Sequence, residues 1–236
     1  MDYTIIINLV TKRKTGIKLL QIFHNLHVRL LLAFSPATLF HKISLLPWYA
    51  NTLEQWVDAS VDDKKLRVLD AGCAIGYLTQ YLYQQGHHVT GVDLSSAMIK
   101  TARKREESID FQIADVSQLP FNDNEFDHIF SASLINIVDD AKKMLKELMR
   151  VSKKKGQLHF LFPKKDFTNE DLEKLIQQLN ISGFSEAAIR AWYKFPPKMS
   201  VEDIESLLTN TAYKIRKTRT YLNDMVLAVS IHNPNN

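Results

Sequence analysis

Asp70, Gly72 and Gly76 stand together in the run DAGCAIG, and Asp93 and Asp115 close two later apolar runs, TGVD and QIAD. These residue types at this spacing suit the binding of a nucleoside. A glycine at the turn from a strand into a helix lets the backbone approach a ligand with no side chain between. The amides at the start of that helix face the same crevice. A carboxylate about twenty residues further on, ending the next strand, accepts hydrogen bonds from both hydroxyls of a ribose, as any adenosine-containing cofactor requires. Asp115 ends a third strand near where the adenine would lie. Glycine is otherwise scarce, seven residues where average composition gives about sixteen. Four of the seven, Gly72, Gly76, Gly86 and Gly91, fall within this short region. The glycine pair alone also reads as a tight turn with packing glycines, and one Asp at a strand end as a turn or cap residue. Two acids at successive strand ends on one rim weigh towards a ligand.

The elements that must position these residues follow from the hydrophobic rhythm. LRVLDAG reads as a buried strand, YLTQYLYQQG as a helix ending at Gly86 and HVTGVDL as a second strand. SSAMIKTARKR is a helix capped by Ser95, followed by the strands IDFQIAD and EFDHIFSAS, the helix DDAKKMLKELMRVS and the strand GQLHFLFP. Strands alternating with helices of this length predict a parallel sheet with helices on both faces. Further on, TNED and SVED read as helix caps, with a softer helix over about 185–194 between them. YKIRKTRTYL and DMVLAVSIHN are two closing strands joined at Asn223-Asp224, a hairpin link.

Four segments carry a resemblance to a known family. LRVLDAGCAIGYLTQYL is similar to the first motif of class I S-adenosylmethionine-dependent methyltransferases, of the type 11 domain family, and HHVTGVDLSSAMIKTAR resembles the second. IADVSQLPFNDNEFDHIFSAS resembles the family's run of Asp, then Leu-Pro-Phe, then Phe-Asp, and KELMRVSKKKGQLHF its helix ending E-x-x-R-V. Together they span about residues 64–162. The resemblance implies an α/β fold: a doubly wound, seven-stranded, mostly parallel Rossmann-like sheet whose last strand is antiparallel, preceded by N-terminal helices. It implies S-adenosylmethionine as cofactor, held by Asp70, Gly72, Cys73, Ala74, Gly76, Asp93, Leu94 or Met98, Asp115, Val116 and Ser131. It divides the chain into an N-terminal helical arm or lid, 1–60, and a methyltransferase domain, 61–236, with a helical insert at about 166–197.

There are departures and a rival. Ala74 stands where the family commonly has glycine, Lys155-Gly156-Gln157 where Pro-Gly-Gly is usual, and Asn210-Thr211-Ala212-Tyr213 where Ala-Gly-Phe is frequent. None touches the expected cofactor contacts badly. A nicotinamide enzyme would want G-x-G-x-x-G, which Gly72-Cys73-Ala74-Ile75-Gly76 lacks. Asp70 at the loop entrance would repel a pyrophosphate and suits a ligand bearing ammonium and sulfonium charges.

Methyl transfer from a sulfonium is an in-line displacement, so the protein's main work is positioning the acceptor. Asn136, Tyr49 and His24 are acceptor-orienting candidates, with His27, Trp192 and Tyr193 also within the covering segments. Asn136 reads equally as a cap for a helix near Asp139. No catalytic base stands out. His128 and His159 fall within strands and read as packing residues, Cys73 as a cofactor neighbour rather than a nucleophile, and Lys153-Lys154-Lys155 as a solvated helix end. No metal site is expected.

Residues 1–50 carry six Lys/Arg against one acid, while the whole chain is +4. The basic bias is therefore local, which argues against a nucleic-acid-coated surface. One cysteine excludes an internal disulfide framework. In 15–34, Leu19, Ile22, Phe23, Leu26, Leu30 and Phe34 form an apolar face opposite Lys18, Gln21, Asn25 and Arg29. That helix reads as a lid over the site, or as a peripheral contact with an anionic membrane. Neither a signal peptide nor a spanning helix is visible, so a cytoplasmic or membrane-peripheral location is expected. The expected acceptor is a small hydrophobic or aromatic molecule; a non-catalytic binding module and, further off, an RNA or protein methyltransferase are the alternatives.

Overall fold

β1 (Arg67–Ala71) is buried from its second residue to its last, a strand that needs neighbours on both sides and cover on both faces. In the computed structural model, which describes residues 21–63 and 65–235, it pairs in parallel with β2 (His88–Asp93) and with β4 (Phe126–Ala132). β3 (Asp110–Ile113), β5 (Ser152–Pro163), β6 (Lys214–Tyr221) and β7 (Val226–His232) complete a seven-stranded sheet in the order β3-β2-β1-β4-β5-β7-β6. β7 runs antiparallel to both β5 and β6. The doubly wound, mostly parallel sheet with a reversed last strand is thus as expected. The order turns back between β1 and β4, and there the carboxyl ends of the strands open a crevice.

The crossover helices are α4 (Tyr77–Gln84), α5 (Ser96–Arg105) and α6 (Ala141–Val151). Ser95 caps α5 by accepting from the Met98 amide, and Asp140 caps α6 by accepting from the Lys143 amide at 2.9 Å. Two of the recognised motifs are tied to each other. The Glu147 carboxylate accepts from the Leu119 amide at 2.8 Å, and the Arg150 guanidinium donates to the carbonyls of Leu119 and Phe121 and to Asp123. The E-x-x-R of α6 therefore pins the Leu-Pro-Phe loop that precedes β4.

Three readings are corrected. Lys153, Lys154 and Lys155 lie in β5, which leaves α6 with no intervening loop, and the Lys153 ammonium sits 2.8 Å from the Asp127 carboxylate. β3 ends at Ile113, so Asp115 stands beyond it in an isolated bridge with Gln118. Asn136 caps no helix, because Asp140 does so.

Residues 21–34 are helical (α1), followed by α2 (Pro36–Ser44) and α3 (Pro47–Asp58). Leu19 and Lys18 lie outside the described residues. The face of α1 that meets the domain carries Val28, buried against Leu39 of α2 and Ala187, with Leu31 half-buried beside them. The apolar set read from periodicity faces out instead: Ile22, Phe23, Leu26, Leu30 and Phe34 are 48–83% exposed. Periodicity marks an apolar face but does not say what covers it. α3 inserts Trp48, Leu53, Trp56 and Val57 into one apolar cluster with β1, α4 and β4. α7 (Asn169–Leu179) and α8 (Gly183–Lys194) join the same cluster, and α9 (Val201–Leu207) packs on the other face. Thr168 and Ser200 form capping boxes at the starts of α7 and α9. Among the described residues, no helix is long and apolar enough to cross a membrane.

Candidate active site

A cavity of about 450 Å³ opens at the crevice, within the range of small-molecule sites, roughly 300–1,000 Å³. Its floor is the end of β1, the loop after it, the end of β2 and Met98 of α5. Its roof is α1, α2, α3 and α8.

The loop's shape follows from its small residues. Gly72 adopts φ +83°, and a Cβ there would fall 2.7 Å from the Leu134 side chain. Gly76, at φ +78°, opens α4 and makes room for Phe111, which a Cβ would meet at 2.6 Å. The two glycines therefore differ in role: Gly72 lines the cavity, while Gly76 allows close packing of helix on sheet. The loop's amides are mostly spent internally. Those of Gly72 and Cys73 both donate to the Val92 carbonyl at 2.8 Å, that of Ala74 to Asp93 Oδ2 at 2.9 Å and that of Gly76 to the Cys73 carbonyl at 2.8 Å. A phosphate cradle needs such amides free and convergent, so this loop is poorly made for a pyrophosphate.

Asp93 braces the rim. Its Oδ1 accepts from the Ser95 amide at 2.8 Å while Oδ2 holds Ala74. An ionised carboxylate offers about four lone-pair positions, so two remain for a pair of hydroxyls. Asp70 is only 2% exposed and accepts from Thr79 Oγ1 at 2.6 Å. Burial, with a smaller contribution from the negative charge of Asp93, pushes its carboxyl up to about 7, against the Thr79 hydrogen bond. The Tyr49 hydroxyl is raised well above its ordinary range by burial and then by Asp70. The Cys73 thiol is likewise pushed far up by burial and by the two acids, and so is no thiolate nucleophile.

The sequence candidates divide. Asp70, Gly72, Cys73, Ala74, Asp93, Met98 and Tyr49 all line the cavity. Leu94 is next to the rim but 72% exposed. Asp115 is exposed, and its carboxylate is engaged by the Ser117 amide and hydroxyl at 2.8 Å. Val116 is buried in the main core, and Ser131 is buried within β4. Neither lines the cavity. Asn136 also stands off it: its Nδ2 donates to the Pro197 carbonyl at 2.8 Å, tying the loop after β4 to the segment after α8. His24 lies against Gly183 at the start of α8, and His27 meets Phe184 edge-on, so neither reaches the wall. Tyr193 is buried and donates to the Phe167 carbonyl. His128 and His159 are a stacked, hydrogen-bonded pair in the sheet, extended by Ser230. Burial holds both imidazoles below their ordinary value, His128 at about 4.

Sequence reasoning named Tyr49 and Trp192 of the roof, which both line the cavity, but missed Trp48 and the rest of the apolar wall. Trp48 and Trp192 stack there, Tyr49 meets Trp192 edge-on at 5.5 Å, and the Trp192 indole N–H donates to Ser133 Oγ at 3.0 Å. Tyr77, Phe195, Pro196 and Pro197 complete the apolar wall. The signal that was available is tryptophan itself: there are three in the chain, and two of them meet here.

A family model described as a methyltransferase domain matches residues 69–160, the strands, loop and helices that form the floor. Over residues 69–160, less than half of its length, the chain is thus similar to a methyltransferase domain. Over 99 residues, 42% of the chain, it is 40% identical to malonyl-[acyl-carrier protein] O-methyltransferase of Hamiltonella defensa, of which it covers 38%. Over 92 residues it is 36% identical to demethylmenaquinone methyltransferase of Renibacterium salmoninarum, covering 39% of each chain. The chain thus spans about two fifths of the length of these curated relatives. Among solved structures, a SAM-dependent methyltransferase from Aquifex aeolicus shares the fold with TM-score 0.58 at 18% identity, covering 76% of this chain and 88% of that one. Magnesium protoporphyrin IX methyltransferase from Synechocystis, with bound SAH, shares it with TM-score 0.56 at 20% identity, over 77% and 80%.

S-adenosylmethionine is the cofactor of such a domain, and the residues present fit it. The small-residue loop, the Asp93 carboxylate with hydrogen-bonding capacity in reserve and the buried Asp70 offer acceptors and negative charge to a hydroxylated cation.

Proposed function

We propose that the protein transfers a methyl group from S-adenosylmethionine to a small apolar or aromatic acceptor, by in-line displacement. The aromatic roof carries this reading: Trp48, Tyr49 and Trp192, packed on one another, line the same cavity as the glycine loop. Bound at the loop, the cofactor supplies an already activated methyl group. Asp93 accepts hydrogen bonds from the ribose, Gly72 and Ala74 admit close backbone approach, and Met98 gives the adenine an apolar face. Asp70 favours positive charge at the methionine end. The roof excludes water and aligns the acceptor with the methyl carbon, where positioning supplies most of the rate gain.

No histidine lines the cavity, the Tyr49 hydroxyl is held protonated, and Tyr77 donates to Glu54 at 2.7 Å. The lining acids, Asp70 and Asp93, are assigned to the cofactor, so the rest of the wall favours an acceptor atom that has no proton to lose at neutral pH. The relatives' names cover both a carrier-linked malonyl group and a demethylated quinone, so both kinds belong in the test. Turnover of labelled cofactor against apolar, quinone and acyl-thioester acceptors decides. Cofactor binding without turnover on any of them would identify a non-catalytic binding module.

A second reading concerns place. The outward face of α1, Ile22, Phe23, Leu26, Leu30 and Phe34, belongs to the basic N-terminal fifth of the chain. Apolar side chains flanked by Lys and Arg suit the surface of an anionic membrane.

A further inference from the structure

A second cavity, of about 500 Å³, shares Val28, Ala191 and Phe195 with the first. Among the described residues, four cationic side chains, Arg29, Arg190, Lys194 and Lys198, stand in its walls, and no carboxylate does. Arg190 is already committed to Glu173 and Glu186. Arg29, Lys194 and Lys198 have no ion-pair partner among the described residues. Two of them are held by rings instead. The Lys198 ammonium lies 3.5 Å from the centre of the Tyr193 ring, and the Arg29 guanidinium 5.7 Å from that of Phe195. Such contacts fix a cation in position without neutralising its charge.

Like charges gathered round one concavity repel each other, and an anion placed among them relieves that repulsion. Phe195, one of the three residues common to both sites, stands between an apolar side and a side that carries Arg29. A molecule that lay across this wall would need an apolar part for the first cavity and an anionic group for the second.

We propose that the second cavity binds the anionic group, a phosphate or a carboxylate, of an amphiphilic acceptor whose apolar part enters the first. This rests on the reading of the first cavity as an acceptor site. The basic side chains of α1, of α8 and of the segment that follows it would then select for charge at one end of the acceptor, while the tryptophans select for an apolar body at the other.

The test is calorimetry of decyl phosphate, decanoate and decanol, each below its micelle concentration, with S-adenosylhomocysteine present. A charge-assisted contact should make the best anionic probe bind about tenfold more tightly than decanol. In the triple variant Arg29→Gln, Lys194→Gln, Lys198→Gln that preference should vanish, and Lys198→Arg alone should keep it. Binding of S-adenosylhomocysteine by the variants checks that they are folded. The relative affinities of phosphate and carboxylate probes identify which anion the site prefers. Equal affinity of decanol and both anions for the unaltered protein overturns this inference and leaves the acceptor reading intact. A preference that survives the triple variant overturns it too. Failure to bind all three probes, with S-adenosylhomocysteine bound, overturns both.

Discussion

Trp48 and Trp192 stack with ring centroids 5.9 Å apart and planes inclined by 26°. One belongs to α3 and the other to α8, on opposite sides of the family-matched region in sequence. Each indole N–H is satisfied by a serine, Ser185 for Trp48 and Ser133 for Trp192. The N-terminal helices and the segment after β5 thus meet in one aromatic roof, supported on the loop that follows β4.

Trp192→Ala removes that stack and leaves Ser133 without its donor. Its expected cost in stability is about 2–3 kcal/mol, below that of a fully buried tryptophan. For catalysis, the acceptor KM should rise severalfold while the affinity for S-adenosylhomocysteine stays near normal. Loss of both affinities together would show that the roof supports the cofactor rather than the acceptor.

Asp93→Ala deletes the carboxylate that joins Ala74 to Ser95 and, in the proposed site, receives two ribose hydroxyls. Hydrogen bonds to a charged group contribute roughly 1.5–3 kcal/mol each, so cofactor affinity should fall by about 10²-fold or more. Asp93→Asn should lose less, since it keeps one acceptor. A calorimetric titration that found unchanged affinity in Asp93→Ala would remove the ribose assignment.

Asp70 makes cofactor binding pH-dependent. Without a ligand its carboxyl titrates at about 7, and a bound cation favours its ionised form. Affinity for S-adenosylmethionine should therefore weaken as pH falls through 7, with proton uptake opposing binding, and Asp70→Asn should flatten the profile. Stability has the opposite slope. The folded chain holds this proton more tightly than the unfolded chain, so its contribution is largest in acid and is lost as pH rises from about 4 to about 7. Without ligand, Asp70→Asn should gain roughly 2–4 kcal/mol relative to the unaltered protein on going from pH 4 to pH 8. Parallel melting curves at the two pH values would contradict this.

The exposed face of α1 predicts binding to anionic vesicles. In flotation assays, phosphatidylglycerol vesicles should carry the protein up, and phosphatidylcholine vesicles much less. Phe23→Ser with Leu30→Ser should abolish flotation without altering cofactor affinity. Equal flotation with both lipids would rule out the charge component, and no flotation with either would end this reading.

Much of the floor of the site was legible because its determinants are local. A glycine at positive φ, a serine cap at Ser95 and an acid closing β2 each act within a few residues. They recur in a fixed order that the alternation of strands and helices makes readable. Asp115 and Val116 show the limit even there: the sequence marks the end of a strand, but not that Ser117 already occupies the acid or that Val116 turns into the core.

By itself the sequence determined the sheet's parallel character and the loop at Asp70–Gly76, since short-range geometry is enough for each, and its resemblance to a known family supplied the class of cofactor. Only the tertiary structure decided that Asn136 binds Pro197 rather than capping a helix, that α1 turns its apolar stripe outward, and that Trp48 and Trp192 form one wall. Those outcomes depend on contacts between segments far apart in the chain. Hydrophobic periodicity identifies a face, but the partner that covers it, or leaves it bare, is set by how the whole chain packs.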